Sequence, residues 1–217
     1  MPYKYPDTVI LVFCKAPIAG QVKTRLMPPL SAQQAVDVHI ELTHRILSLL
    51  VQVQLSPIQL WCSPDTAHPF FYDCKEQYAV SLHRQQGQDL GERMFNAIGT
   101  ALQSFSNVLL VGCDCPSLTA SDFDFTIDAL QSNNDIVLAP AEDGGYVMIA
   151  MKQAHPELFL DMNWGTQNVF NTTCERINKL GLGIVQTTQQ WDVDTFKDLQ
   201  RLRSDQKLEK NRNIFMI

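Results

Sequence analysis

The chain has 217 residues, of which 45% are hydrophobic and 18% are charged, and its formal net charge is −6. This composition is typical of a folded globular protein and excludes a disordered chain, while the acidic balance argues against a duplex nucleic-acid binder. No stretch approaches the roughly 20 apolar residues of a membrane span, and the N-terminus does not resemble a signal peptide. We therefore expect one cytoplasmic domain that spans residues 1–217.

Strand-like and helix-like stretches alternate along the chain. Strands are predicted at Thr8–Cys14, Pro57–Ser63, Tyr78–Arg84, Asn107–Cys113, Asp135–Pro140, Tyr146–Met151 and Gly183–Thr187. Helices are predicted at Ser31–Gln52, Asp89–Ser104, Thr119–Ser132, Gln167–Leu180 and Thr195–Arg203. This alternation predicts an α/β fold, a three-layer α/β/α sandwich around a mostly parallel sheet. The Asp143-Gly144-Gly145 turn permits a hairpin, so one strand is compatible with an antiparallel direction and a mixed sheet.

The first predicted strand runs into a loop that carries three cations and no acid, namely Lys15, Lys23 and Arg25. Ala16-Pro17 and Gly20 shape the turn of this basic loop, which we define as residues 15–25. Because ligands bind at the carboxyl ends of strands in open α/β sheets, the loop predicts a phosphate site. The Walker spacing is missing, and the alternative is a solvated loop whose cations face water.

A second candidate follows the apolar run Val108–Val111, where Gly112-Cys113-Asp114-Cys115-Pro116 ends the strand. Asp114 is expected at the carboxyl edge of the sheet. A single aspartate there can hold Mg²⁺ or Mn²⁺ when phosphate oxygens and waters supply the other ligands. The alternative is that Asp114 caps the following turn.

Two further acidic segments follow predicted strands. In the first, Glu142 or Asp143 can orient a sugar hydroxyl or act as a general base, and the paired glycines Gly144 and Gly145 allow a close approach of ligand to main chain. A tight acidic turn is the alternative. In the second, Asp192 and Asp194 point the same way on an extended backbone and can face one cation, or Asp194 caps the next helix.

The remaining polar motifs give weaker predictions. Trp164 can wall a sugar or base pocket, although a core tryptophan explains it as well. Arg93, near the start of a predicted helix, can reach a ligand. The six cysteines are expected to be reduced, and Cys113-x-Cys115 lacks the second Cys/His pair of a zinc finger. The histidines are dispersed, and we assign them no role.

The ordered motifs together resemble a known family. They are Phe13-Cys14-Lys15-Ala16-Pro17 with Gly20 and Lys23-Thr24-Arg25, Gly87 with Asp89–Met94, Gly112–Pro116, Pro140–Tyr146, Trp164-Gly165-Thr166 and Asp192–Thr195. Their order and spacing are similar to the bacterial radical-SAM/selenodomain-associated transferase 1 family. That family belongs to the nucleotide-diphospho-sugar transferase superfamily, which has the GT-A fold.

The resemblance implies a metal-dependent transferase that uses a nucleotide or nucleotide-sugar donor and a small-molecule acceptor. It implies that the basic loop and Arg93 bind the phosphates of the nucleotide. It also implies that Asp114 and Asp194 are the metal ligands, with Asp192 as the alternative to Asp194. Lys23 and Arg25 would neutralise the leaving group, Asp143 would act in catalysis, and Gly144, Gly145 and Trp164 would line the acceptor side.

Two enzyme classes and one binding class remain open. Sugar transferases of this fold usually carry Asp-x-Asp where this chain has Asp114-Cys115-Pro116, a pattern more similar to guanylyltransferases. The expectation is a glycosyltransferase-like reaction, with a nucleotidyltransferase that releases pyrophosphate as the alternative. A non-catalytic nucleotide-binding protein is the third possibility.

Overall fold

Nearly continuous runs of buried apolar residues form the strands of one mixed sheet. The computed structural model of the protein describes residues 3–214, and the side chains of residues 3–205. The strands are β1 (Thr8–Lys15), β2 (Ile58–Ser63), β3 (Ser81–Arg84), β4 (Asn107–Gly112), β5 (Ile136–Pro140), β6 (Tyr146–Met151) and β7 (Ile184–Gln186). Their order is β3-β2-β1-β4-β6-β5-β7. Only β6 runs antiparallel to its neighbours within the described sheet, as the predicted hairpin allowed.

Helices cover both faces of this sheet. They are α1 (Ala32–Val53), α2 (Pro69–Tyr78), α3 (Leu90–Ala101), α4 (Ala120–Gln131), α5 (Val169–Lys179) and α6 (Phe196–Ile214). One apolar core joins the sheet to α1, α2 and α4, and a second core joins the opposite face to α3 and α5. The predicted three-layer α/β/α sandwich is confirmed. The expected domain of residues 1–217 also includes residues 1–2 and 215–217, which lie outside the described part of the chain.

Helix α2 is missing from the sequence prediction. His68 caps it by accepting a hydrogen bond from the Phe70 amide, and Pro69 occupies its first turn, where a missing N–H costs nothing. The helix buries Phe71 completely and ends at Tyr78. The strand predicted to start at Tyr78 is therefore wrong over its first three residues, because that stretch finishes the helix and its left-handed cap.

The strand order places a crevice between β1 and β4. From β1 the chain proceeds outward to β2 and β3 and then returns to β4 on the other side of β1. The register pairs Phe13 with Gly112, so Cys14 and Lys15 lie beside Cys113 and Asp114. Such a reversal of strand order leaves a ligand crevice at the carboxyl ends of the strands. Among the described helices, none is both long and apolar enough to cross a bilayer.

Candidate functional site

A cleft of about 380 Å³ opens at the carboxyl ends of β1 and β4. Its walls include Lys15, Lys23, Arg25, Asp114 and Asp194. A smaller recess of about 170 Å³ adjoins the cleft and shares part of its wall, including Asp114. The structure therefore brings the basic loop and the carboxylate that follows β4, separate in sequence, into one cavity.

A partly buried ion pair holds the floor of the cleft. The Lys23 ammonium donates hydrogen bonds to Asp114 Oδ2 at 2.8 Å and to the Val193 carbonyl at 2.6 Å. The Lys23 side chain is only 7% exposed, whereas that of Asp114 is 37% exposed and keeps access to the cleft. Lys23 therefore fixes the position of Asp114 and ties the basic loop to the segment before α6.

The charges of this pair stabilise each other. Burial raises the pKa of the Asp114 carboxyl, but the Lys23 ammonium more than offsets this and holds that pKa below its ordinary value. Burial lowers the pKa of Lys23, and the charge of Asp114 raises it again to above its ordinary value. Both groups are consequently charged at neutral pH. Gly112 makes room for this arrangement, since a Cβ there would lie 2.9 Å from Asp114 Oδ1.

The other two cations of the basic loop have different environments. Arg25 pairs with Asp194 at 2.6 Å, but both side chains are well exposed, at 69% and 40%, so the pair contributes little to stability. Lys15 is exposed and forms no ion pair with the described side chains. Two of the three cations of the loop, Lys23 and Arg25, therefore already have acidic partners. Beneath them, Ala16 and Pro17 are buried, and Gly20 turns the chain at a φ of +79°.

The carboxylates in the smaller recess repel one another. Asp114, Asp143 and Asp192 all line it. Burial, together with the charges of Asp114 and Asp143, raises the pKa of Asp192 to about 6. These three carboxylates have one buried ammonium beside them, that of Lys23, so the recess keeps negative charge that a divalent cation would neutralise. Carboxylate oxygen atoms are ligands that suit Mg²⁺ or Mn²⁺.

The Asp143-Gly144-Gly145 segment forms a tight turn between β5 and β6. Asp143 Oδ1 accepts a hydrogen bond from the Gly145 amide at 2.9 Å, and its exposed carboxylate faces the smaller recess together with Gly145. Gly144 has a φ of +91° and packs on Gln167, whose main chain leaves no space for a side chain. Glu142 instead pairs with Arg201 at 2.9 Å.

Arg93 and Trp164 lie elsewhere. The Arg93 guanidinium donates to the Gly87 carbonyl at 3.0 Å and so holds the loop before α3. Trp164 is partly buried in the second core, with its ring edge-on to Tyr146. Among the described side chains, the walls of the cleft and of its recess include neither residue. The predicted contact of Arg93 with phosphate and of Trp164 with an acceptor thus lacks support from their positions.

Sequence reasoning missed a cluster of Cys14, His39 and Cys113 in the floor of the cleft. The proximity of the two thiols raises the pKa of Cys14 and lowers that of Cys113. His39 Nε2 donates to the Lys15 carbonyl at 2.8 Å. The three residues are far apart in sequence, and the only signal available was that two predicted strands, Thr8–Cys14 and Asn107–Cys113, each end at a cysteine.

A groove of similar volume, about 390 Å³, lies between α1 and the start of α4. Its lining is mainly apolar, with Arg45 as the charged residue, and it lacks the carboxylates of the β1–β4 cleft. The combination of cations and carboxylates is what distinguishes the cleft as the candidate site.

Comparison with known proteins gives a family. The family model described as an uncharacterized protein conserved in bacteria (DUF2064) matches residues 46–166, more than half of the chain. The chain belongs to the DUF2064 family. The matched DUF2064 region includes Asp114 and Asp143, whereas the basic loop and Asp192 lie outside it. No curated protein has a sequence that matches the chain.

Solved structures similar to this DUF2064 protein share its fold. A Desulfovibrio desulfuricans G20 protein with the provisional name nucleotide-diphospho-sugar transferase is 29% identical, with a TM-score of 0.80 over 88% of this chain and 83% of that one. The 4-diphosphocytidyl-2C-methyl-D-erythritol synthase of Anaerococcus prevotii DSM 20548 is 13% identical, with a TM-score of 0.62 over 93% and 99%. A CMP:2-keto-3-deoxy-manno-octonic acid synthetase complexed with CTP is 8% identical, with a TM-score of 0.61 over 93% and 99%. The last two likenesses concern the fold alone.

Proposed function

We propose that the protein is a metal-dependent transferase whose donor is a nucleotide or a nucleotide sugar. One observation carries the proposal: the cationic loop after β1 and the carboxylate after β4 line a single cleft at the reversal of strand order. The similarity to the D. desulfuricans protein named as a nucleotide-diphospho-sugar transferase supports it. Membership of the radical-SAM/selenodomain-associated transferase 1 subfamily is part of the same proposal.

The basic loop receives the phosphates of the donor. Lys15 has an exposed ammonium without an acidic partner among the described residues, so it can pair with a phosphate without first breaking an ion pair. Arg25 can exchange the exposed carboxylate of Asp194 for a phosphate at little cost. Lys23 keeps Asp114 oriented, and its positive charge offsets part of the negative charge at the cleft floor. This positive charge stabilises the negative charge that builds up on the leaving group.

The carboxylates hold the divalent cation. Asp114 keeps one side of its carboxylate free of Lys23, and Asp192 lies in the same recess, whereas Asp194 is engaged with Arg25. We therefore assign Asp114 and Asp192 as the ligands and retain Asp194 as the alternative to Asp192. When bound, Mg²⁺ or Mn²⁺ would neutralise the phosphate oxygens of the donor.

The acceptor occupies the smaller recess. Asp143 has an exposed carboxylate at its rim, held by the Gly145 amide, and is placed to take a proton from an acceptor hydroxyl. The other walls include the apolar side chains of Phe13, Leu90 and Met94. An acceptor with a hydroxyl group on a largely apolar body fits this lining.

The group transferred is a sugar in our first proposal, with release of a nucleoside diphosphate. Nucleotidyl transfer, with release of pyrophosphate from a nucleoside triphosphate, is the second, because one observation favours it. Pro116 replaces the second aspartate of Asp-x-Asp, so this motif supplies one carboxylate only. The cation must then take its second carboxylate from elsewhere in the chain.

Product analysis separates these reactions. The full-length protein is incubated with panels of nucleotide sugars and nucleoside triphosphates, in Mg²⁺, Mn²⁺ or chelator, and scored for nucleoside diphosphate and for pyrophosphate. Asp114→Asn should abolish either product, while Asp124→Asn, an exposed carboxylate paired with Lys4, should not. Metal-dependent binding without turnover across acceptors would favour a non-catalytic nucleotide-binding protein, and activity that survives both chelation and Asp114→Asn would refute the proposal.

A further inference from the structure

Cys14, His39 and Cys113 converge from three separate elements. Cys14 lies near the end of β1, His39 lies on the first half of α1, and Cys113 directly follows β4. Each offers one ligand atom, and these atoms lie within 4.8 Å of one another. All three residues are buried, with exposed fractions of 2%, 4% and 6%.

The spacing of these atoms fits a zinc ion. With a Zn–S bond of about 2.3 Å and a Zn–N bond of about 2.0 Å, a tetrahedral angle places sulfur and nitrogen about 3.5 Å apart. Cys14 Sγ and His39 Nε2 are 3.6 Å apart. This pair of ligand atoms is therefore already close to the spacing that zinc requires.

The donor set differs from that of the neighbouring carboxylates. Two sulfur atoms and one imidazole nitrogen form a soft ligand set that prefers Zn²⁺ to Mg²⁺, whereas the oxygen atoms of Asp114 and Asp192 have the opposite preference. We propose that Cys14, His39 and Cys113 form a zinc-binding site beneath the cleft, separate from the carboxylate site above it.

The position of this zinc site couples it to the basic loop. The three residues line the floor of the cleft, so a fourth ligand, water or a substrate group, can approach from that side. His39 Nε2 now donates to the Lys15 carbonyl, and coordination through Nε2 exchanges that hydrogen bond for the metal. Zinc binding therefore removes one hydrogen bond from the carbonyl of Lys15, whose ammonium has no acidic partner among the described side chains.

Cobalt spectroscopy of the reduced, full-length protein tests the proposal. One Co²⁺ ion per chain should give rise to a thiolate-to-metal charge-transfer band together with the strong visible bands of a tetrahedral site, and Zn²⁺ should displace this ion. Cys14→Ala and His39→Ala should each weaken zinc binding by more than about 100-fold, beyond the 10–100-fold loss typical of outer-shell changes.

Matched variants identify the site. Cys74→Ala removes a buried thiol from the same core, and Asp114→Asn removes the adjacent carboxylate. Both should keep the charge-transfer band. A band that survives Cys14→Ala, or that disappears in Cys74→Ala, would overturn the assignment.

A measurement on the wild-type protein does not depend on whether a variant folds. X-ray absorption of the zinc-loaded protein should show two sulfur atoms at about 2.3 Å and nitrogen at about 2.0 Å. A shell of oxygen and nitrogen alone would place zinc at the carboxylates and refute the site.

Discussion

Replacing Asp192 by Asn should stabilise the metal-free protein at neutral pH. Burial and the charges of Asp114 and Asp143 raise the pKa of Asp192 from 3.8 to about 6. A carboxyl that binds its proton more tightly in the folded state loses stability as the pH rises from its unfolded pKa to its folded pKa. The Asp192 contribution to the free energy of unfolding should therefore fall between about pH 4 and about pH 6 and stay constant above pH 7.

The size of this effect follows from the two pKa values. At about 1.4 kcal/mol for each tenfold change, the interval from 3.8 to about 6 corresponds to about 3 kcal/mol. Asn keeps the shape and removes the charge. Roughly a fifth of this effect is already present at pH 4, which lies just above the unfolded pKa. The free energy of unfolding of Asp192→Asn, minus that of the wild type, should thus increase by about 2 kcal/mol from pH 4 to pH 7.

Urea unfolding followed by tryptophan fluorescence, in chelator and at closely spaced pH values, measures this difference. Asp124→Asn is a control of opposite sign, because its hydrogen bond with Lys4 lowers the pKa of Asp124 and its stabilisation is lost as the pH falls. Saturating Mg²⁺ should stabilise the wild type at pH 7 more than Asp192→Asn. Wild-type and Asp192→Asn stability curves that run parallel over the whole pH range would refute the electrostatic reasoning.

Three other changes test the packing and the charges. Gly91→Ala should destabilise the protein by about 1–3 kcal/mol in chemical denaturation, because its Cβ would lie 2.6 Å from the Trp164 indole nitrogen. The control, Gly99→Ala in the same helix, has free space and should be neutral or stabilising. Lys15→Met should weaken nucleotide binding about 10-fold or more in calorimetry without lowering the melting temperature, and unchanged affinity would remove Lys15 from the phosphate site. Lys23→Met should cost about 1–3 kcal/mol of stability and also weaken metal-dependent binding, because it leaves the Asp114 carboxylate without its cation. A loss of stability with unchanged binding would make the role of Lys23 purely structural.

The fold could be predicted because its signals are local. Buried strands such as Val108–Val111 are continuous apolar runs, and helix α1 begins at Ser31, whose capping box with Gln34 is visible in the sequence. Helix α2 was missed because it has only 10 residues and its last residue, Tyr78, was assigned to the following strand. The sequence nevertheless contains two signals of this helix. One is Pro69 at the first turn, and the other is the helical spacing of the residues that it buries, Phe70, Phe71, Cys74 and Tyr78.

The site could be predicted only in outline. Loops that follow adjacent parallel strands must meet at one edge, so the basic loop and Asp114 were expected together. Their pairing could not be predicted, because Lys23 and Asp114 are 91 residues apart and burial of the lysine depends on how the segment before α6 returns to the cleft. The Cys14–His39–Cys113 cluster was hidden for the same reason, since the contact of α1 with the strand ends has no local signature.

Isothermal titration calorimetry of nucleotides and nucleotide sugars, in Mg²⁺ and in chelator, examines the shared cleft most directly. Nucleotide should bind at one site in Mg²⁺ and only weakly in chelator, and the Mg²⁺ dependence should be lost in Asp114→Asn. Nucleotide binding that is equally strong with and without Mg²⁺ and is unaffected by both Asp114→Asn and Lys15→Met would contradict it.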